Sequence, residues 1–172
     1  MKPELAGQNV VIIGGGLVGL ESGIFLAQQG RDVTVVEAAP ATVATPPAPP
    51  ASGEEPKGMP GLMHLPAGFP LVHGDALSLE LAKLPNIQVL CSTKAVRVED
   101  AGLVVCGPDG AERLIEGDTV ICAAGQSPLW DLGQSFRLCA PEFYQIGDCV
   151  APANIYEATS KGYQIAMDLG RI

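Results

Sequence analysis

The chain has 172 residues, enough for one well-filled core or for one domain carrying a fragment of another, and too few for two full domains. Apolar residues make up 47% and charged residues 17%, a balance that excludes a disordered chain and suits a compact α/β protein with buried central strands. A net charge of -9 with only ten Lys and Arg excludes nucleic acid as the main partner, because phosphate-backbone binders need clustered cations to displace counterions.

Val10 to Ile13 is a continuous β-branched run, the pattern of a strand covered on both faces of a parallel sheet. Leu17, Val18, Leu20, Ile24, Phe25 and Leu26 fall near helical spacing and predict a helix from Leu17 to Gln29, with Gly30 as its stop. "DVTVVE" follows as a second strand ending on Glu37, which completes a βαβ unit with a right-handed crossover. Residues 40 to 70 then hold nine prolines, a density that removes amide donors and predicts a loop insertion. It reads as a variable surface segment, with a docking or lid segment as the alternative. His64 and His73 fall in or near it without ligand spacing, and no metal site is expected.

"DALSLELAKLP" predicts a short amphipathic helix with Asp75 as cap and Pro85 as stop. "NIQVLCST", "KAVRVED", "GLVVCGPDG" and "ERLIEGD" read as a strand followed by an antiparallel meander, and "DTVICAAG" as a fully apolar strand central to the parallel sheet. The last stretch predicts a strand to Ile146, a tight turn at Gly147 and Asp148, and a helix from about Ala153 to Leu169. Cys91, Cys106, Cys122, Cys139 and Cys149 form no C-x-x-C pair and are expected to be buried small hydrophobes in a reducing cytosol. No apolar run approaches the roughly 20 residues that cross a bilayer. The glycine triplet and Glu21 interrupt anything resembling a signal peptide. The expected location is the cytoplasm, with no membrane partner.

Gly14, Gly16 and Gly19 have the G-x-G-x-x-G spacing, and each glycine does something different. The first allows a tight turn out of the strand, the second close backbone approach to a pyrophosphate, and the third close helix-to-strand packing. Free amides at the helix start then attract phosphate, so Gly14, Gly15, Gly16, Leu17, Val18 and Gly19 are the cofactor-binding candidates. The motif follows a strand, opens a helix and is answered by Glu37, the context that distinguishes a dinucleotide site from a glycine turn used for packing. A carboxylate at Glu37 accepts from ribose hydroxyls and repels a 2′-phosphate, which favours NAD(H) over NADP(H), with Arg31 nearby to soften the preference. The fingerprint alone does not separate NAD(H) from FAD. No Ser-His-Asp set, metal cluster or paired acids suggests a self-contained catalytic centre, so no catalytic residue is assigned.

"VVIIGGGLVGLESGIFLAQQGRDVTVVE", "DTVICAAGQSP" and "YQIGDCVAPANIYEATSKGYQIAMDL" together resemble the C-terminal half of the 2,4-dienoyl-CoA reductase and NADH:flavin oxidoreductase family, relatives of the pyridine nucleotide-disulfide oxidoreductases. The resemblance covers most of the chain outside residues 40 to 70 and places NAD(H), not FAD, on the glycine turn. It implies that Glu21 lies close to the nicotinamide, that Ala124 and Gly125 pass close to cofactor, and that Gly147 and Asp148 belong to a turn whose aspartate contacts FAD. Without flavin, Asp148 is a helix-entry turn residue. The implied fold is α/β: a Rossmann-like three-layer nicotinamide-binding domain over residues 7 to 125, with parallel sheet and antiparallel β-meander, followed by a partial flavin-domain segment over residues 126 to 172.

The family's first G-x-G-x-x-G, its FMN barrel and its iron-sulfur cysteine cluster have no counterpart in this sequence. FAD is therefore expected only with a site incomplete in this chain. The implied function is an NAD(H)-binding domain or subunit that presents NADH for hydride transfer to FAD on a flavin-bearing polypeptide. The alternatives are a non-catalytic NAD(H)-binding or scaffolding module, and a fragment of a longer enzyme. A homo-oligomer is left open.

Overall fold

The computed structural model describes residues 3–44 and 71–170. These divide into two compact units, one of residues 3–44 and 71–125 and one of residues 126–170. The proline-rich segment lies outside the described residues from position 45 onward, and His64 with it.

In the first unit, β1 (Asn9–Ile13), β2 (Asp32–Val36), β3 (Ile87–Leu90) and β7 (Thr119–Cys122) form a parallel sheet in the order β3-β2-β1-β7. β1 pairs with β2 from Asn9↔Asp32 to Ile13↔Val36 and with β7 from Val10↔Thr119 to Ile13↔Cys122. The β-branched run of β1 is explained by what covers it. Val10 and Ile12 pack with Leu20, Ile24, Leu26 and Ala27 of α1 (Leu17–Gln28) and with Leu77 of α2 (Leu71–Lys83), whereas Val11 and Ile13 pack on the other side with Leu103, Val105 and Ile115. The latter residues belong to an antiparallel sheet of β4 (Lys94–Glu99), β5 (Gly102–Cys106) and β6 (Glu112–Glu116), with an irregularity between Ala95 and Arg97. Helices, parallel sheet and meander thus make three layers, and period-two alternation sends successive β1 side chains to opposite layers.

Two of the expected elements differ in this unit. α2 begins at Leu71, so Asp75 stands exposed within the helix and is not its cap. Gly74 marks a false start in the sequence, because a helix already propagating tolerates one glycine at a cost of about 1 kcal/mol. Among the described residues β7 is at the sheet edge, paired with β1 alone, and its residues are half-buried to exposed. An apolar run permits burial on both faces but does not state how many neighbours the strand has.

The start of β7 is clamped to the start of β1. Asp118 Oδ2 accepts the Gln8 and Asn9 amides at 2.9 Å each, the Thr119 hydroxyl donates to Asp118 Oδ1 at 3.0 Å, and the Gly7 amide donates to that hydroxyl oxygen at 2.9 Å. These bonds, the Asn9 amide foremost, hold the Asp118 carboxyl below the ordinary value of 3.8.

The second unit contains α3 (Trp130–Gln134), a short 3-10 turn at Gly147–Cys149 and α4 (Ile155–Asp168). The strand expected to run to Ile146 is not formed. A strand needs a neighbouring backbone, and this unit offers none among the described residues. None of its described residues is buried, in contrast to the first unit. The expectation of buried cysteines also fails: Cys91, Cys106 and Cys149 are half-buried, Cys122 and Cys139 are exposed, and all five are free thiols. Among the described residues, no helix is long and apolar enough to cross a membrane.

Candidate functional site

The glycine turn sits at the C-terminal end of β1, where open α/β sheets receive ligands. Gly14 has φ +109°, and a Cβ there would meet the Ala123 carbonyl oxygen that follows β7. At Gly19 a Cβ would collide with the Gly14 carbonyl oxygen, so helix and turn approach as closely as backbone allows. Gly15 is small for a reason the spacing does not reveal: a Cβ would stand 2.7 Å from Thr42 Cγ2 and 2.9 Å from Glu37 Cβ. Gly16 differs from all three, since nothing lies within 4 Å of where its Cβ would be.

Gly16 is also the N-cap of α1, and no side chain caps it. The first intrahelical bond runs from the Leu20 amide to the Gly16 carbonyl at 3.0 Å, which leaves the Leu17, Val18 and Gly19 amides without helical partners. With the helix dipole behind them, these amides beneath an open surface form a cradle that fits a pyrophosphate. Val18 and Glu21 are both exposed, three positions apart on one face of α1, so an apolar side chain and a carboxylate stand together beside the turn.

Glu37 follows β2 and is fixed by four bonds. Its amide donates to the Leu90 carbonyl and its carbonyl accepts the Thr93 amide, each at 2.9 Å. Its carboxylate accepts the Gly15 amide at 2.6 Å and the Ala39 amide at 2.7 Å. The acid is therefore oriented before any ligand arrives, with further lone pairs available to hydroxyl donors. The Ala39 amide carries no sequence signal and could not have been foreseen. Arg31 does not soften the charge at Glu37: it precedes β2, and its guanidinium donates to the Ala6 and Gly7 carbonyls and to Gln29 Oε1 at the opposite end of the strand. Proximity in sequence misleads here because five strand residues span about 17 Å.

Beyond β7, the Ala123 amide donates to the Ile13 carbonyl at 2.8 Å and brings Ala123 against the glycine turn. Ala124 and Gly125 follow, both exposed, with Gly125 at φ +87°. The structure thus gathers Gly14 to Gly19, Glu37 and the chain leaving β7 at one end of the parallel sheet.

Gly147 and Asp148 belong to the second unit. Gly147, at φ +75°, receives the Val150 and Ala151 amides on its carbonyl, and Asp148 is exposed. The sequence reading missed two residues in this unit. Asn154 caps α4 by accepting the Glu157 amide at 2.9 Å, a role legible in the N-x-x-E spacing. Gln145 accepts from Gln134 at 2.7 Å and donates to the Trp130 and Cys149 carbonyls at 3.1 and 3.4 Å, a knot with no local sequence signature.

Residues 1–55 match the family model described as pyridine nucleotide-disulphide oxidoreductase. The chain is 30% identical over 170 residues to a cinnamate reductase of Clostridium sporogenes, covering 98% of this chain and 22% of that protein. It is 27% identical over 163 residues to an NADH oxidase of Thermoanaerobacter brockii, covering 94% and 21%. In fold it resembles a 2-naphthoyl-CoA reductase solved with 2-naphthoyl-CoA, with a TM-score of 0.72, 24% identity, and coverage of 95% of this chain and 21% of the other. The chain spans about a fifth of the length of these relatives.

Proposed function

We propose that this chain, which belongs to the FAD/NAD-dependent pyridine nucleotide-disulphide oxidoreductase superfamily, binds NAD(H) on its glycine turn and presents it for hydride transfer to FAD held mainly by a flavin-bearing polypeptide. The observation that carries this reading is the uncapped start of α1 beneath the open surface at Gly16, with the Glu37 carboxylate bonded to Gly15 beside it. Residues 7–125 form the nicotinamide-binding domain in this proposal, and residues 126–172 an incomplete flavin-domain segment of the 2,4-dienoyl-CoA reductase type. The Leu17, Val18 and Gly19 amides hold pyrophosphate, and the Glu37 carboxylate accepts the adenosine ribose hydroxyls. Val18 and Glu21 face the nicotinamide end, Ala124 and Gly125 pass beside it, and Gly147 and Asp148 belong to the flavin contact. NADH bound there supplies the hydride, while this chain contributes position and orientation. The free thiols fit action in a reducing cytoplasm.

A second reading, a non-catalytic NAD(H)-binding or scaffolding module, draws support from the second unit, where no described side chain is buried. Fluorescence titration with NADH and NADPH, beside a visible spectrum of the purified chain, tests both. The expected result is a protein without stoichiometric flavin that binds NADH at least about tenfold more tightly than NADPH, the effect of a like charge facing the 2′-phosphate. Equal affinities remove the role of Glu37, and a yellow protein with one FAD per chain overturns the incomplete flavin site. NADH binding without any NADH oxidation when flavin-bearing polypeptide is supplied supports the module.

A further inference from the structure

A second opening lies in the first unit, apart from the glycine turn. It is a cavity of about 480 Å³ between the end of β3 with Thr93 and the turn joining β5 to β6, which continues to Arg113. Both walls are tied in place. Thr93 is buried, its hydroxyl donates to the Cys91 carbonyl at 2.9 Å, and the Ser92 and Thr93 amides donate to the Ala39 and Glu37 carbonyls. On the other side the Gly110 amide donates to the Gly107 carbonyl at 3.1 Å and the Ala111 amide to Asp109 Oδ1 at 3.1 Å. Such a cavity exists before a ligand arrives, which lowers the ordering cost of binding.

Its chemistry is asymmetric. Val89, Leu90, Pro108 and Ala111 supply apolar wall, and Arg113 is the one cation among the described residues that line it. The Arg113 guanidinium makes no hydrogen bond or ion pair among the described residues, whereas that of Arg97 is engaged by Glu99 and Glu112 at 2.8 and 2.6 Å. Asp109, the one acid among the described lining residues, already spends an oxygen on its own turn. The cavity is also not a continuation of the glycine turn: neither the turn nor Glu37 lines it. The Glu37 side chain follows the β2 face of Val35, on the helix side, whereas the cavity's second wall belongs to the meander on the other side.

We propose that this cavity is a second ligand site, independent of the dinucleotide, for a small planar apolar molecule bearing one anionic group, an aromatic carboxylate in class. The ring fills the apolar wall, and Arg113 takes the carboxylate through its planar pair of donors. Benzoate is the probe, titrated calorimetrically into the full chain with and without saturating NADH. Alkylation of Cys91 by iodoacetamide is followed in parallel by peptide mass spectrometry. Benzoate binds at one site, slows Cys91 alkylation in proportion to occupancy, and keeps its affinity when NADH is bound. Benzyl alcohol, with the same ring and no charge, binds at least about tenfold more weakly, and Arg113→Met costs benzoate a similar factor, while Arg113→Lys falls between wild type and Arg113→Met because it keeps the charge and loses the paired donors. Arg113 is exposed, so a melting curve suffices to show that the variants fold. The proposal is overturned by absence of binding at millimolar benzoate, by equal affinity for benzyl alcohol, by indifference to Arg113→Met, or by unprotected Cys91. Mutual exclusion with NADH also overturns it, making the cavity part of the dinucleotide site.

Discussion

A methyl group added at Gly19 would collide with the Gly14 carbonyl oxygen, whereas one added at Gly16 would stand in open space at a φ of -73° that any residue adopts. The two glycines therefore answer to different demands, one from the fold and one from the ligand. Gly19→Ala is expected to destabilise the chain by about 1–3 kcal/mol, the usual cost of forcing bulk into a closed contact, and to lower its melting temperature. Gly16→Ala is expected to keep stability within about 1 kcal/mol, because the N-cap loses no side-chain bond, while weakening NADH by at least about tenfold. Melting curves and NADH titrations of both variants check the pair, and a reversed pattern would assign Gly16 to packing and Gly19 to the ligand. The motif spacing made Gly14, Gly16 and Gly19 legible, but the reason for Gly15 was not, since it depends on Thr42 and Glu37 arriving from elsewhere in the chain.

At the scale of elements, the placement of β7 decides whether Ala123 meets the glycine turn, and Asp118 fixes that placement from the strand's far end. Its carboxyl is held below the ordinary 3.8 by the amides of Asn9 and Gln8 and by Thr119. A depressed folded value means that the stabilisation is present above the unfolded value and disappears as pH falls through the folded one. Wild type is expected to outlast Asp118→Asn in urea at pH 7, with the gap between their midpoints closing below pH 3.8. A gap that stays constant down to about pH 2.5 would mean that the charge contributes nothing and only the shape of the side chain matters. β1, α1, β2 and the meander were legible because their apolar periods reflect the layers covering them. The edge position of β7 and the missing strand before Gly147 were not, because both depend on which backbone lies alongside, and a strand's own residues do not encode its neighbours.

At the scale of the whole molecule, burial is confined to residues up to Val105 among those described. From Gln126 onward the second unit leaves Leu138 at 96%, Ile155 at 83%, Tyr156 at 71% and Tyr163 at 68% exposure, and α4 has no buried residue. Its sequence is that of an ordinary amphipathic helix, so the lack of burial among the described residues was not legible: a stripe states that a face is apolar, not that anything packs on it. A helix of 14 residues with none buried among those described is marginal in water, and the Asn154 cap with the half-buried Glu157–Lys161 pair adds little to it. Hydrogen exchange should therefore separate the units. Amides of β1 and β2 are expected to exchange only through global opening, while those of α4 exchange orders of magnitude sooner through local opening. Mass spectrometry of peptic fragments measures both in one sample. Protection of α4 equal to that of β1 would require cover over the stripe that the described residues do not supply. Sedimentation of the same sample across a range of concentrations would then distinguish a second copy, whose association follows mass action, from a co-purified flavin-bearing polypeptide.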